Sequence, residues 1–212
     1  MAFSSIVNVD ALDEGLILAP ERYDPRRQLG HSVGIAVADI AEIAGEHVSP
    51  ASLDAAHILV LDTSHAVEGF VRITPSNGTN PSLKSAKKRV RPGDVIISRL
   101  RPYLRQVAYV TPEIWAEDKG LTLLCSTEFY VLRSKDEQSI AFLVPFLLGC
   151  DVQKILSASQ EGGHHPRFNA DTLGGLMVPD NVSADRHIIS GKLESLTTKA
   201  WEVERQFASL VG

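Results

Sequence analysis

The chain lacks any long apolar run. Nowhere in its 212 residues do the roughly 18 consecutive apolar residues of a membrane helix occur, so no membrane partner is expected. The opening MAFSSIVNVDALDEG has no basic segment leading into an apolar stretch, and so does not read as a secretory signal. A reducing cytoplasm is the expected location. Cysteine is scarce. Cys125 and Cys150 form no CxxC pair and fit neither a disulfide scaffold nor a zinc ribbon; both read as buried or incidental thiols. Signatures of catalysis are missing too: there is no G-x-S-x-G, P-loop, HExxH or GxGxxG, no acid-Pro-aromatic tetrapeptide, and no Asp…Glu-x-Lys pairing of the nuclease kind. No enzyme activity, cofactor or metal is expected. No internal repeat is present either.

What remains is ordinary globular material with an uneven charge. Apolar residues make up 44% and charged residues 22%, enough for one sizeable core plus an appended element. The net charge of −5 argues weakly against nucleic acid. Its distribution argues the other way. Residues 81–106, PSLKSAKKRVRPGDVIISRLRPYLRQ, hold eight basic residues (Lys84, Lys87, Lys88, Arg89, Arg91, Arg99, Arg101, Arg105) against Asp94 alone, a local +7 that leaves −12 on the other 186 residues. Such segregation suits an anionic partner. The plainer reading is a solvated face paired with the protein's own acids.

Periodicity predicts mixed structure. VGIAVADIAEIAG (33–45) has helical spacing closed by Gly45, and ERYDPRRQ (21–28) reads as a loop. From residue 57 short β-branched runs take over: HILVLDTS and AVEGFVRIT about a Ser-His turn, then GDVIISRL, RQVAYVT and CSTEFYVLRS. PSNGTNPS (75–82) is a dense turn signal. Helical spacing returns in QSIAFLVPFLLGC, with a break or bend at Pro145, and in DVQKILSASQ. ADTLGGLMVP reads as a helical turn and a short strand.

The tail is the cleanest signal. Ile189, Leu193, Leu196, Ala200, Val203, Phe207 and Leu210 are spaced alternately by four and three, an a/d seam over three heptads. Ser183 is the expected N-cap. The seam predicts a helix that pairs with another helix, that is, a dimerisation face; packing on its own domain is the alternative.

Two constellations remain. In EGGHHPRFN (161–169), adjacent His164 and His165 diverge in any regular element and suit one metal poorly. His165, Arg167 and Asn169 are better placed as donors to phosphate oxygens or base edges, while Gly162 and Gly163 permit close approach. In RPGDVIISRLRPYLRQ, a strand over 95–98 would put Arg99 and Arg101 on one face, with Tyr103 and Arg105 in the loop beyond. Arginine binds phosphate and reads guanine bidentately, and tyrosine adds stacking.

The order of these stretches resembles the target recognition domain of DNA-specificity (S) subunits from type I restriction-modification systems. RPGDVIISRLRPYLRQVAYV (91–110) resembles that family's GD-apolar-apolar-x-S/T-R strand and loop. CSTEFYVLRS (125–134) resembles its S-T/x-E/D-F-x-V-L-R strand, and residues 142–179 resemble its helix, glycine-containing loop and closing strand. The resemblance covers roughly residues 30–212. It implies an α+β fold: a mixed, β-rich recognition domain over residues 1–180, docking in the DNA major groove, followed by a coiled-coil spacer helix over 183–211. A typical S subunit carries two recognition domains and two such helices; this chain has one of each, a half subunit.

The expected function is a non-catalytic reader of double-stranded DNA. It would direct a methyltransferase subunit, and with it a restriction or translocase subunit, to a site, acting as a homodimer or paired with another half subunit. The expected DNA contacts are Lys87, Lys88, Arg89, Arg99, Arg101, Tyr103, Arg105, His165, Arg167 and Asn169. The alternative is a protein-interaction module of a phage-defence complex that reads no sequence. A third reading is a small hydrolase using His164 or His165 with Glu128 or Asp171. Residues 1–30 read as a domain-packing arm.

Overall fold

A computed structural model describes residues 33–49, 57–73, 85–116, 118–161 and 165–211, together with residues 6, 8 and 9. All of the expected arm except residues 6, 8 and 9, the loops at 21–28 and 75–82, Lys84, Gly162, Gly163 and His164 lie outside the described residues. In chain order come β1 (Ile35–Ala36), α1 (Val37–Ile40), β2 (Ala41–Ile43), β3 (His47–Val48), β4 (Ile58–Leu61), β5 (Ala66–Val67), β6 (Phe70–Val71), β7 (Lys87–Arg89), β8 (Val95–Ser98), β9 (Val107–Tyr109), β10 (Thr122–Cys125) and β11 (Phe129–Ser134). The helical part follows as α2 (Leu143–Leu147), α3 (Cys150–Ala158), α4 (Ala170–Gly174), β12 (Met177–Val178), α5 (Asp180–Ala184) and α6 (Arg186–Val211). The α+β class expected from the sequence is the class observed.

Two four-stranded sheets form the body. One is antiparallel throughout, in the order β2-β11-β8-β9; the other runs β3-β7-β10-β4, with β10 parallel to β4. The all-antiparallel sheet is buried on both faces. Val95, Ile97, Val107, Tyr130 and Leu132 face a core shared with α2, α3 and α4. Ile96, Ala108, Phe129 and Val131 face a second core shared with Leu61, Leu123 and Cys125 of the other sheet. Alternation of side chains along a strand therefore sends consecutive residues of VIIS into two different cores, which explains an unbroken apolar run.

Several elements differ from the sequence expectation. Residues 33–45 are not one helix: only Val37–Ile40 are helical, and Ala41–Ile43 form an edge strand on β11. Short apolar runs fit both periods, and sheet pairing decides here. The Ser-His turn is a 3-10 helix over Thr63–His65, capped by Asp62; the chain reverses later, at Glu68-Gly69 between β5 and β6. The break in the 138–150 segment falls at Leu148-Gly149, between α2 and α3. Pro145 sits in the first turn of α2, where its missing N–H costs nothing. Cys125 is buried, its thiol pushed up to about 12 by burial, whereas Cys150 is exposed.

Ser183 does not cap the long helix. It lies inside α5, and its N–H donates to the carbonyl of Pro179. The 26-residue α6 then spans about 39 Å. It is docked along residues 186–201. Ile189 and Leu193 pack on the first core, and Trp201 on the second. Polar contacts interleave: Arg186 pairs with Asp136 at 2.9 Å, Ser190 Oγ accepts the Phe142 N–H, Glu194 accepts from Ser139 and Tyr109, and Thr198 donates to Glu113. The heptad seam is thus divided, since its first two members serve the chain's own domain. Leu196, Val203, Phe207 and Leu210 stay 55–83% exposed.

Candidate nucleic-acid interface

Three loops meet at one end of the body: residues 99–106 after β8, 126–128 before β11, and, between α3 and α4, the described residues 160–161 and 165–169. They are stitched by backbone. Arg99 N–H donates to Glu128 O at 2.9 Å, Phe168 N–H donates to Arg99 O, and Glu161 and Arg167 exchange two bonds of 2.9 Å. Leu100 bridges to Arg167 as well. The end of the basic segment, Arg99 and Leu100, and Arg167 and Phe168 of EGGHHPRFN, remote in sequence, are neighbours.

At their junction sits a carboxylate. Glu128 Oε2 accepts from Arg99 Nε and from Arg167 Nε, each at 2.9 Å, and Oε1 accepts from Arg167 Nη2 at 2.7 Å. Hydrogen bonds from Arg167, then Arg99, hold its carboxyl at about 2. A carboxylate so engaged is no base for a histidine, which removes Glu128 from the hydrolase reading. Among the described residues, no three His, Cys, Asp or Glu side chains gather closely enough to hold a metal.

Strand β8 ends at Ser98, and Arg101 adopts the left-handed conformation (φ 45°, ψ 65°). The alternation that would have put Arg99 and Arg101 on one face is therefore interrupted. Arg99 is fixed against Glu128. Arg101 is exposed, with no ion-pair partner among the described residues. A 3-10 turn over Pro102–Leu104 follows, bracketed on its far side by Arg105, also left-handed at φ 53°. The turn lifts Tyr103 (66% exposed) and Leu104 (46%) away from the body. Non-glycine residues pay about 1–2 kcal/mol each for this conformation. Between the turn and α3 lies an open groove of about 350 Å³, with Tyr103, Arg105, Gln153 and Lys154 on its walls.

The remaining expected contacts are distributed unevenly. Lys87, Lys88 and Arg89 form β7, a central strand of the second sheet, so alternation splits them. Lys88 turns inward. It is 8% exposed, donates to Phe129 O at 2.7 Å and lies over the Tyr130 ring, so its ammonium is not offered to phosphate. Lys87 is bonded to Ser85, and Arg89 pairs with Glu46 at 2.7 Å. Arg105 pairs with Glu68 at 2.9 Å. Asn169 is exposed and caps α4, its Oδ1 accepting the Thr172 N–H at 2.8 Å. His165 is exposed, and its carbonyl accepts from Arg167 Nη1. Glu128 as the centre of the face, and Leu104 beside Tyr103, were not foreseen as parts of it.

No protein-family model matches the chain, and no curated protein sequence matches it. The fold is nevertheless shared with solved structures. One is a chain from a structure addressing complex assembly and conformational transition of the type I R-M system. It has a TM-score of 0.56 and 24% identity over 83% of this chain and 44% of that one. Another is the HsdS subunit from Thermoanaerobacter tengcongensis, with a TM-score of 0.53 and 23% identity over 82% and 44%. The likeness is one of fold: a sheet-rich mixed domain followed by a long helix. The chain spans under half the length of these two structures.

Proposed function

We propose that the chain is a non-catalytic, sequence-specific DNA-binding subunit of a restriction-modification system, directing a separate methyltransferase subunit and a restriction or translocase subunit to their site in the cytoplasm. The observation that carries this is the convergence of Arg99, Arg101, Tyr103 and Arg167 on one end of a domain whose fold is that of HsdS. Charged and planar groups of this kind suit phosphates and base edges. Two copies, or this chain and another half subunit, pair through Leu196, Ala200, Val203, Phe207 and Leu210. Ile189 and Leu193 are omitted because they pack on their own domain. Two-fold pairing calls for a split, inverted site.

Selection from a random duplex library at moderate salt tests the reading. The expected outcome is an enriched motif in two inverted halves. A single short motif would mean that one domain reads alone; no enrichment would sink the proposal.

One observation favours a second reading. Arg89, Arg91, Arg99, Arg105 and Arg167 each have an acid within 3.0 Å, so the face is less cationic than its residue count. A protein-interaction module of a phage-defence complex would have this property.

A further inference from the structure

An acid at the centre of a face built for a polyanion is a puzzle. Glu128 reduces the charge of its cluster from +2 to +1, which weakens attraction to phosphate. It is nonetheless held on every side. Three charge-assisted hydrogen bonds of 2.7–2.9 Å reach its side chain. Its backbone carbonyl accepts from Arg99 N–H, and its own N–H donates to Ser126 Oγ at 3.2 Å. Its carboxyl, held near 2 by the two guanidinium groups, stays ionised throughout the neutral range.

We propose that Glu128 is the positioning residue of this face, fixing Arg99 and Arg167 as a paired guanidinium fork whose remaining N–H groups meet DNA, so that it sets discrimination between sequences rather than strength of binding. The inference rests on the DNA-reading function proposed above. A guanidinium has five N–H donors in a rigid plane. Arg167 commits Nε and one Nη2 hydrogen to Glu128 and one Nη1 hydrogen to His165 O, leaving two. Arg99 commits Nε to Glu128, with Tyr130 as a further partner. Both side chains are about two-thirds buried, and their planes are set before any ligand arrives. A guanidinium reads guanine O6 and N7 bidentately only when its plane matches that of the base. A long, freely rotating arginine binds any phosphate it meets. Ordering the fork in advance removes an entropy cost that would otherwise fall on binding. The lost charge is the other side of this arrangement, and it suppresses indiscriminate attraction.

The test uses the full chain as wild type, E128Q and R167K. A selected duplex is obtained with the wild type, and affinity for it and for an unrelated duplex is measured over a salt series. For E128Q, binding to the unrelated duplex is expected to hold or tighten, while preference for the selected duplex falls by about tenfold or more. R167K keeps the charge but loses the fork, and is expected to lose preference without losing affinity for the unrelated duplex. Thermal melting accompanies each measurement. If E128Q keeps full preference, the inference is overturned and DNA reading stands. Equal loss on both duplexes together with a lowered melting temperature would make Glu128 a structural brace and overturn it too. Should E128Q not fold, R167K decides alone, and unchanged preference there overturns the inference. A wild type that enriches no sequence overturns both this inference and the function it rests on.

Discussion

Among the acids that hold arginine, Glu128 and Asp94 do different work. Asp94 is 2% exposed and bidentate to Arg133, at 3.0 Å to Nε and 2.8 Å to Nη2; it also accepts the Arg91 N–H at 2.7 Å. It follows Gly93, whose φ of 86° makes the turn into β8. The Gly-Asp of one stretch and the Leu-Arg of another, both noticed in the sequence as separate strands, are thus two ends of one ion pair. Removing one partner strands the other in a poorly solvated site, at a cost of about 3–5 kcal/mol. Asp94→Ala is therefore expected to lower the melting temperature by about 10 °C, read by calorimetry. An unchanged melting temperature would mean that Arg133 finds water or another acid. At this scale the sequence exposed donors but not their partners. Arg99 and Arg167 stand out as cations near glycine or proline, whereas Glu128 lies 29 and 39 residues from them, and no local pattern links them. Lys88 misled because composition counts charge, while the pleat decides which charges reach solvent.

At the scale of elements, the strands β8, β9 and β11 were legible because each is a β-branched or aromatic run bounded by turns. Residues 33–45 were misread because Ala41–Ile43 gain a sheet partner, Leu132–Ser134 of β11, that only the folded chain supplies. The terminal helix shows both outcomes in one element. Its existence followed from periodicity; its division did not, because Ser190 and Thr197, both buried, dock it through small polar residues that the apolar seam ignores. The division yields a prediction. Leu196 is 55% exposed and touches no core, so Leu196→Asp is expected to abolish self-association in sedimentation without lowering the monomer's melting temperature. Leu193→Asp, on the same seam but packed inward, is expected to destabilise the fold itself. A wild type that sediments as a monomer at high concentration would refute the pairing through this face.

For the molecule as a whole, the α+β class and the order of its parts were readable, whereas the stacking of two sheets and a helical layer was not, since layers are built from long-range pairings such as β10 with β4. The same stacking gathers Arg99, Glu128 and Arg167 on one end. If that end meets phosphates, log K for a duplex falls with log salt by about 0.9 per contact. Three or more contacts predict a slope near −3 or steeper, measured by fluorescence anisotropy. A flat dependence would favour the interaction-module reading.

The turn that carries Tyr103 has one more consequence. Its foundation is firm: Ser98 is buried, Pro102 is buried, and the backbone closes on itself through Leu104 N–H to Arg101 O and Arg105 N–H to Pro102 O. Its tip touches little. Exchanging the residues at 103 and 104 therefore alters what the molecule displays at a cost within about 0.5 kcal/mol, while the strand below is undisturbed. Surface identity and foldedness can thus drift independently here, which makes the tip a place where variation accumulates without penalty to the scaffold.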